Sequence, residues 1–329
     1  MIEIFTDFDD NLRMYSLPIP KESLGERFQH NCRITTRAEI RKKEDYLSIE
    51  IYWGHKPDMN EIRMMQNLKW IHLGTSGYDR LDLSYLERKC IMVTTSSEIN
   101  AESVALTALT FVLQDLRGAL FVAAPENIGQ RSMREKRKGF DAKHPYADVA
   151  SRKTIFTLGN GAIGSRFTKF ARYLDFKVLA LDSRGLIEFD QSDSSETRIS
   201  RDSIHEFVAR ADYIVNCLPL TAETQNLIDR DFLRCSKSTL WYISVGRWTT
   251  TNELELVALI QERRIRGASL DVYSPEFAGL APELLLNGSI ATMPHVAGNH
   301  ASYWENQIAL FQYNLQCFLA RSELRSRLI

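Results

Sequence analysis

A glycine-rich loop between two short apolar strands constrains the fold of this chain more than any other feature. Residues 153–158 (KTIFTL) predict a buried strand, and the loop GNGAIG follows at 159–164. Apolar residues recur at helical intervals over 167–176, and a second apolar strand at 177–182 ends in Asp182. The sequence therefore predicts a complete strand–turn–helix–strand unit.

The glycines of this loop, Gly159, Gly161 and Gly164, have the G-x-G-x-x-G spacing of a dinucleotide site. One makes the tight turn, one lets the pyrophosphate approach the backbone, and one lets helix and strand pack closely. The N–H groups at the helix N-terminus then bind the phosphates. Asp182 can accept hydrogen bonds from the ribose hydroxyls and repel a 2′-phosphate, so NAD is predicted over NADP, a preference that Arg184 weakens.

The composition is that of an ordinary globular protein. A length of 329 residues exceeds one typical core and predicts two domains. Hydrophobic residues make up 44% of the chain and charged residues 25%. A net charge of −1 gives no electrostatic attraction to nucleic acid or membranes, so the expected ligand is a small molecule.

The cysteines argue against both a disulfide framework and a metal site. They are five in number, scattered, and without a C-x-x-C pair. The first residues are acidic and lack a long apolar core, and no apolar run approaches the roughly 20 residues of a membrane-spanning helix. These features predict a cytoplasmic protein without a bound metal.

Strands and helices alternate along the rest of the chain. Further strands are predicted at 2–5, 47–54, 70–74, 92–96, 212–220, 239–245, 267–273 and 289–294, with helices at 59–68, 100–116 and 301–320. This alternation predicts an α/β fold with a doubly wound parallel sheet, and the last helix is expected to pack on the N-terminal domain. The helix 100–116 is apolar on most of its circumference, which predicts a homodimer. The basic stretch at 131–140 is interpreted as a solvated loop or a short surface helix.

Several further segments occur in a defined order and spacing, and together they are more specific than any single motif. They are GTSGYDRLD (74–82), NAESVA (100–105), ADYIVNCLPLTAETQNLI (211–228), SVGR (244–247), GASLDVYSPE (267–276) and MPHVAG (293–298). Through these segments and the glycine loop, the chain resembles the D-isomer-specific 2-hydroxyacid dehydrogenases. The resemblance implies a Rossmann domain at 100–296 that binds NAD, inserted in a smaller, flavodoxin-like substrate domain made of 1–99 and 297–329.

The resemblance also implies roles for individual residues. Arg247, Glu276 and His295 would be the catalytic residues, and N–H groups near Ser76 and Gly77 would hold the substrate carboxylate beside Arg247 and His295. The residues that it implies at the cofactor are Gly159, Gly161, Ala162, Ile163, Gly164, Asp182, Ser183, Arg184, Cys217, Leu218, Pro219, Val245, Gly246, Asp271, His295 and Gly298. Among them, Asp271 and the Val245 backbone would meet the nicotinamide amide.

These residue types suit carbonyl reduction. A hydride that reaches a ketone carbon leaves negative charge on the oxygen, and the imidazole of His295, with a reference pKa of about 6.5, can supply a proton near neutrality. Glu276 would fix the imidazole tautomer and raise its pKa, because a carboxylate stabilises the charged ring. Arg247 would place a planar fork of donors against the substrate carboxylate and carbonyl.

Alternatives remain at each position. His295 could be a structural histidine, Glu276 a solvated surface acid, and Arg247 a member of a structural ion pair. Trp248 and Phe277 stand where the family usually has glycine and proline, which leaves the substrate open. Three aromatic residues are interpreted either as pocket or as core: Tyr78, Trp53 and Trp304.

Two functions are therefore compatible with the sequence. The first is an NAD-linked dehydrogenase acting on a small 2-oxo or 2-hydroxy acid. The second is an NAD(H)-sensing, corepressor-like binding protein on the same scaffold, because one fold hosts many functions. All three catalytic residue types are present, which favours the enzyme.

Overall fold

The computed structural model describes residues 2–8, 32–119, 148–190, 195–280 and 282–329. The chain divides into two compact units: Met1–Asn100 with Asn299–Ile329, and Ala101–Gly298. Both boundaries lie within two residues of those expected from the sequence. The basic stretch at 131–140 lies outside the described residues, so its interpretation stays a prediction.

A five-stranded parallel sheet forms the centre of the first unit. Its strands are β1 (Ile2–Thr6), β2 (Cys32–Thr36), β3 (Ile51–Gly54), β4 (Trp70–Leu73) and β5 (Met92–Thr94), and its helices are α1 (Met59–Met64), α2 (Leu83–Arg88) and, at the other end of the chain, α9 (Tyr303–Ala320). The strand order β2-β1-β3-β4-β5 is the flavodoxin-like order. The sequence did not predict β2.

The C-terminal helix α9 covers one face of this sheet. Strands β3 and β4 are buried along their whole length, as expected where both faces of a sheet are covered. The ring of Trp53 stacks on that of Phe311 with centroids 4.0 Å apart. Trp53 and Trp304 both belong to this buried core, so the core interpretation of these residues is the correct one. The helix therefore packs on the N-terminal strands, as the sequence predicts.

An eight-stranded sheet forms the centre of the second unit. Its strands are β6 (Thr154–Leu158), β7 (Lys177–Asp182), β8 (Gly185–Phe189), β9 (Glu196–Ile199), β10 (Tyr213–Asn216), β11 (Trp241–Ser244), β12 (Gly267–Leu270) and β13 (Ile290–Thr292). Its later helices are α4 (Ala162–Tyr173), α5 (Ile204–Arg210), α6 (Glu253–Gln261), α7 (Phe277–Leu280) and α8 (Pro282–Leu286). The strand order β13-β12-β11-β10-β6-β7-β8-β9 places β6 beside both β7 and β10, so the doubly wound prediction is confirmed.

One edge of this sheet differs from the fully parallel arrangement that the sequence predicts. Strand β8 pairs antiparallel with both β7 and β9. The chain reverses direction at Gly185, whose φ of 136° is a conformation that residues with a side chain rarely adopt. Leu186 and Ile187 of β8 are fully buried, which stabilises the hairpin. This edge lies next to the end of β7, where Asp182 stands.

The long helix α3 (Ser97–Leu116) runs from the first unit into the second. Its solvent-exposed residues form a single stripe at four-residue spacing: Glu98, Glu102, Leu106 and Thr110. Val104, Ala108 and Phe111 pack with Phe167 in a core of the second unit. The chain itself therefore covers most of the apolar surface from which the homodimer is predicted, and the oligomeric state stays a prediction.

The described parts of the chain contain no helix long and apolar enough to cross a membrane. Over the same ranges, no group of three or more His, Cys, Asp and Glu residues could hold a metal ion. The cysteines Cys32, Cys90, Cys217, Cys235 and Cys317 are free thiols.

Candidate active site

Gly159 shapes the loop that follows β6. Its φ of 88° is left-handed, which favours glycine. Its N–H donates a hydrogen bond of 2.9 Å to the carbonyl oxygen of Leu181. A Cβ at this position would lie 3.1 Å from the carbonyl oxygen of Cys217. The loop thus turns tightly between the ends of β7 and β10.

The other two glycines of the loop have different surroundings. Gly161 is the N-cap of α4, and a Cβ on it would meet no described atom within 4 Å. A Cβ on Gly164 would overlap the carbonyl oxygen of Gly159, so α4 packs directly on the loop. The first N–H groups of a helix lack partners within it, and here they belong to Ala162 and Ile163. The open space at Gly161 therefore fits the pyrophosphate of a dinucleotide.

Asp182 ends β7 among arginine side chains. Its carboxylate accepts hydrogen bonds from Arg198 Nη1 at 3.1 and 3.2 Å, from Arg184 Nη2 at 3.3 Å and from the Arg184 N–H at 2.7 Å. Arg201 Nη2 donates to the carbonyl oxygens of Asp182 and Ser183, at 3.1 and 2.9 Å. Burial alone would raise the pKa of Asp182, but the hydrogen bonds from Arg184 and Arg198 outweigh it and the pKa is lowered. The carboxylate is therefore ionised and ion-paired.

The sequence did not identify two of these arginines. Arg198 lies on β9, which reaches Asp182 only because β8 is inserted between β7 and β9. Glu196, the other acid nearby, is itself paired with Arg198 at 3.2 Å. Positive charge consequently balances or exceeds negative charge where a ribose and its 2′-substituent would lie.

A buried asparagine connects two loops of the second unit. Asn216 Nδ2 donates to Tyr242 Oη and to Thr250 Oγ1, both at 2.8 Å. Its Oδ1 accepts from the N–H of Leu218 at 3.0 Å, and Thr250 Oγ1 donates to the carbonyl oxygen of Arg247 at 2.6 Å. Asn216 therefore fixes the segment 217–219 relative to the turn that carries Arg247. An asparagine inside an otherwise apolar strand was the only sequence signal for it.

The cofactor residues predicted on these two loops lie side by side. The Val245 N–H donates to the carbonyl oxygen of Asn216 at 3.0 Å. A Cβ on Gly246 would lie 2.6 Å from the carbonyl oxygen of Leu218, so this glycine is required by backbone packing. Cys217 is shielded by protein, which raises the pKa of its thiol to about 12, and Pro219 is exposed.

Asp271 holds the loop that carries His295. Its carboxylate is buried and accepts hydrogen bonds from the N–H groups of Val296 at 2.9 Å and Ala297 at 3.1 Å. Burial raises the pKa of Asp271, although these two hydrogen bonds oppose the shift. The His295 N–H donates to the Asp271 carbonyl oxygen at 2.9 Å, and the histidine takes a left-handed φ of 56°. Gly298, half-buried, ends this loop and the second unit.

Arg247, Asp271 and His295 form one electrostatic group at the ends of β11, β12 and β13. His295 is exposed, but partial shielding of its ring from water lowers its pKa, the positive charge of Arg247 lowers it further, and the Asp271 carboxylate acts in the opposite direction. Arg247 is half-buried, and its Nη1 donates to the carbonyl oxygen of Gly246 at 2.9 Å. The structure thus brings two of the three predicted catalytic residues together.

Glu276 is not joined to this group. Glu276 is exposed, and although the structure describes both residues, no hydrogen bond or ion pair joins Glu276 to His295. A neighbouring acid is better fixed, since Glu253 Oε1 accepts from the N–H of Ser274 at 2.8 Å. Among the described residues, the carboxylate whose charge raises the pKa of His295 is that of Asp271.

The predicted substrate residues Ser76 and Gly77 lie in the first unit, in a turn that follows β4. Both are half-buried. The turn is closed by a hydrogen bond of 2.9 Å from Thr75 Oγ1 to the Gly77 carbonyl oxygen. The Gly74 N–H donates to the Gly54 carbonyl oxygen at 2.8 Å, which anchors the turn to the end of β3.

Known proteins share both the sequence and the fold. Residues 119–297 match the family described as D-isomer specific 2-hydroxyacid dehydrogenase, NAD binding domain. The glyoxylate/hydroxypyruvate reductase B of Yersinia pestis (strain Pestoides F) is 27% identical over 245 residues, which are 74% of this chain and 72% of the relative.

Solved structures with low sequence identity share the fold over almost the whole chain. An NADPH-dependent glyoxylate/hydroxypyruvate reductase from Sinorhizobium meliloti, in complex with NADP and malonate, has a TM-score of 0.72 and 20% identity, covering 99% of this chain and 96% of its own. A D-lactate dehydrogenase from Aquifex aeolicus, complexed with NAD and lactic acid, has a TM-score of 0.71 and 21% identity, covering 97% and 96%. With its family match over more than half its length, the chain belongs to the D-isomer-specific 2-hydroxyacid dehydrogenase family.

Proposed function

We propose that this protein is an oxidoreductase that transfers a hydride between a nicotinamide dinucleotide and a small 2-oxo or 2-hydroxy acid of D configuration. The observation that carries the proposal is the electrostatic group of Arg247, Asp271 and His295 at the ends of three parallel strands. The glycine loop of the same unit supports it, because the space at Gly161 admits a pyrophosphate.

His295 is proposed as the proton donor to the substrate oxygen during reduction and as the proton acceptor during oxidation. The bound cofactor supplies or accepts the hydride. Because the pKa of His295 lies below its ordinary value, the neutral ring predominates at neutral pH. A neutral imidazole is the form that removes the hydroxyl proton of a 2-hydroxy acid.

Arg247 is proposed to bind the substrate carboxylate and to stabilise the charge that grows on the carbonyl oxygen. The N–H groups of Ser76 and Gly77 are proposed to take the other side of the carboxylate. Glu276 stays in the proposal as a partner of the imidazole in the substrate-bound enzyme, on the strength of the family resemblance alone. Asp271 is proposed as a second carboxylate that acts on the imidazole, since its charge raises the pKa of His295.

The cofactor is proposed to be NAD(H) or NADP(H), with a weak preference for NAD(H). The prediction of NAD rests on Asp182 repelling a 2′-phosphate. Arg184 and Arg198 neutralise that carboxylate, and Arg201 adds a further cation within reach of the same strand end. The carboxylate can still accept hydrogen bonds from ribose hydroxyls, so NADH remains a suitable cofactor.

The test is steady-state oxidation of NADH and of NADPH with a panel of 2-oxo acids that includes glyoxylate, hydroxypyruvate and pyruvate. The proposal predicts turnover with at least one acid and formation of the D product where the product is chiral. Binding of NADH without turnover of any acid would contradict it and favour the NAD(H)-sensing alternative. The predicted homodimer and cytoplasmic location are separate proposals, which light scattering and fractionation of cells test.

A further inference from the structure

Two fully buried side chains of α9 converge on one backbone atom of the turn that carries Ser76 and Gly77. The carbonyl oxygen of Gly74 accepts hydrogen bonds from Tyr303 Oη at 2.7 Å and from Gln307 Nε2 at 2.5 Å. Neither side chain has any exposed surface. The last helix of the chain therefore holds the first residue of the turn.

A histidine completes this arrangement. His55 Nε2 lies 2.7 Å from Tyr303 Oη, and Gln307 Nε2 lies 3.0 Å from the same oxygen. Because the tyrosine hydroxyl gives its one proton to Gly74, His55 must donate through Nε2–H. Its Nδ1 is then an acceptor, and it is buried without a hydrogen bond to any described residue, in agreement with a neutral ring. Burial lowers the pKa of His55 to about 4.

The histidine is itself fixed from behind. Asp7 is buried and accepts hydrogen bonds from the N–H groups of His55 at 2.9 Å and Lys56 at 2.7 Å. A Cβ on Gly74 would lie 2.3 Å from His55 Nε2, so the imidazole packs directly on the turn. The ring can occupy this position only because residue 74 is glycine.

The next carbonyl of the turn is bound as well. The N–H of Ser96 donates to the carbonyl oxygen of Thr75 at 3.1 Å, and Ser96 Oγ lies 2.9 Å from Gln307 Oε1. By contrast, the N–H groups of Ser76 and Gly77 take part in no hydrogen bond with the described residues. Successive carbonyls are thus held inward, and the following N–H groups are left for a ligand. Free backbone N–H groups in a turn are suited to an anion.

Burying these polar groups is costly, because an unpaired polar group in the interior loses its hydration, and His55 Nδ1 is one such group among the described residues. Leucine in place of Gln307 would leave the Gly74 carbonyl with one hydrogen bond instead of two, and phenylalanine in place of Tyr303 would also leave His55 Nε2 without its partner. The Gly74 carbonyl oxygen thus receives two buried donors, one for each of its lone pairs, which fixes its position from two directions.

We propose that Tyr303 and Gln307, supported by His55, are positioning residues that set the affinity of the turn for the substrate carboxylate. The proposal rests on the function proposed above, in which the N–H groups of Ser76 and Gly77 bind that carboxylate. The residues act through the Gly74 carbonyl and do not touch the substrate.

The experiment compares Tyr303→Phe and Gln307→Leu with wild type, using the best 2-oxo acid and the carboxamide of the same acid. Each variant should raise KM for the acid by about 3- to 10-fold, the effect of losing one of the two hydrogen bonds to the Gly74 carbonyl, with kcat and the Kd of the reduced cofactor unchanged. The KM for the carboxamide should change less, since its neutral amide oxygen accepts hydrogen bonds from the turn more weakly than a carboxylate does. Tyr313→Phe on the same helix is the matched control, because Tyr313 is 40% exposed.

A second pair of variants separates positioning from folding. His55→Gln keeps an N–H donor for Tyr303 and should retain most of the affinity for the acid, whereas His55→Ala should raise KM. Melting temperatures are measured for all variants. Wild-type KM in a folded Tyr303→Phe variant, or equal losses for acid and carboxamide, would overturn the inference alone. Failure of the wild type to reduce any 2-oxo acid would overturn the proposed function, and the inference with it.

Discussion

The two units fix their candidate ligand loops in different ways. In the second unit, the glycine loop is shaped by its own backbone: Gly159 takes a left-handed φ, and Gly164 packs against the carbonyl oxygen of Gly159. In the first unit, the turn at Gly74 is held by Tyr303 and Gln307, which are 229 and 233 residues away along the chain. The glycine loop depends on positions that carry no side chain, whereas the turn at Gly74 depends on two particular side chains.

This difference determines how each loop responds to mutation. Adding one methyl group disturbs a loop whose backbone is closely packed, whereas removing one polar atom disturbs a turn held by side chains. Each kind of substitution should therefore impair one ligand and spare the other.

The largest effect is expected inside the glycine loop. Gly164→Ala should destabilise the protein by about 1–3 kcal/mol, because its Cβ overlaps the Gly159 carbonyl. Gly161→Ala should leave the melting temperature unchanged, since no described atom lies near its Cβ, but should weaken cofactor binding by about tenfold or more. Gly279→Ala, also at an open position, is the control. Thermal unfolding and titration with NADH and NADPH measure both quantities. Equal behaviour of the 161 and 164 variants would contradict the assignment of separate roles.

A smaller effect is expected at the edge of the eight-stranded sheet, where β8 lies between β7 and β9. Arg198→Ala should lower kcat/KM with NADPH by about tenfold and change kcat/KM with NADH little, because only NADPH carries a 2′-phosphate for a cation to bind. Arg210→Ala breaks an ion pair with Glu188 on the same edge and serves as the control. Parallel losses with both cofactors would show that Arg198 serves only to hold Asp182.

The pH profile offers the finest distinction. The donor in reduction is the protonated imidazole, so kcat/KM for a 2-oxo acid should be highest at low pH and fall as pH rises through the His295 pKa. Burial and Arg247 lower that pKa, which places the midpoint below the ordinary value of about 6.5. Asp271→Asn removes the charge that raises the pKa and should move the midpoint to still lower pH. A midpoint that stays in place in this variant would exclude Asp271 as the carboxylate that acts on His295.

The sequence predicts the centre of the second unit better than the edge of its sheet. Strand β7 was predicted with its observed limits, β6 within one residue and α4 within five, because apolar periodicity and glycine spacing are local signals. The β8 hairpin was missed because its signal is a single glycine at 185 and a short apolar run. Missing it concealed the approach of Arg198 to Asp182, and with it the weakness of the NAD preference.

Side-chain networks escaped prediction in both units. Asn216 and Gln307 are polar residues within apolar segments, and the sequence does not state which distant backbone group each one binds. Glu276 is the opposite case: its motif implies contact with His295, while the structure leaves it exposed and gives Asp271 the electrostatic influence. A hydrogen bond across the fold depends on the final packing, which a one-dimensional pattern does not encode.

Single-turnover reduction by His295→Ala tests whether His295 exchanges the proton with the substrate oxygen. NADH or NADPH is bound beforehand, its Kd is measured, and the best 2-oxo acid of the wild type is then added. If His295 is the proton donor, cofactor affinity should be unchanged and the rate should fall by about 10²–10⁴-fold, the range of general acid–base catalysis. A rate within a few-fold of wild type would contradict the mechanism.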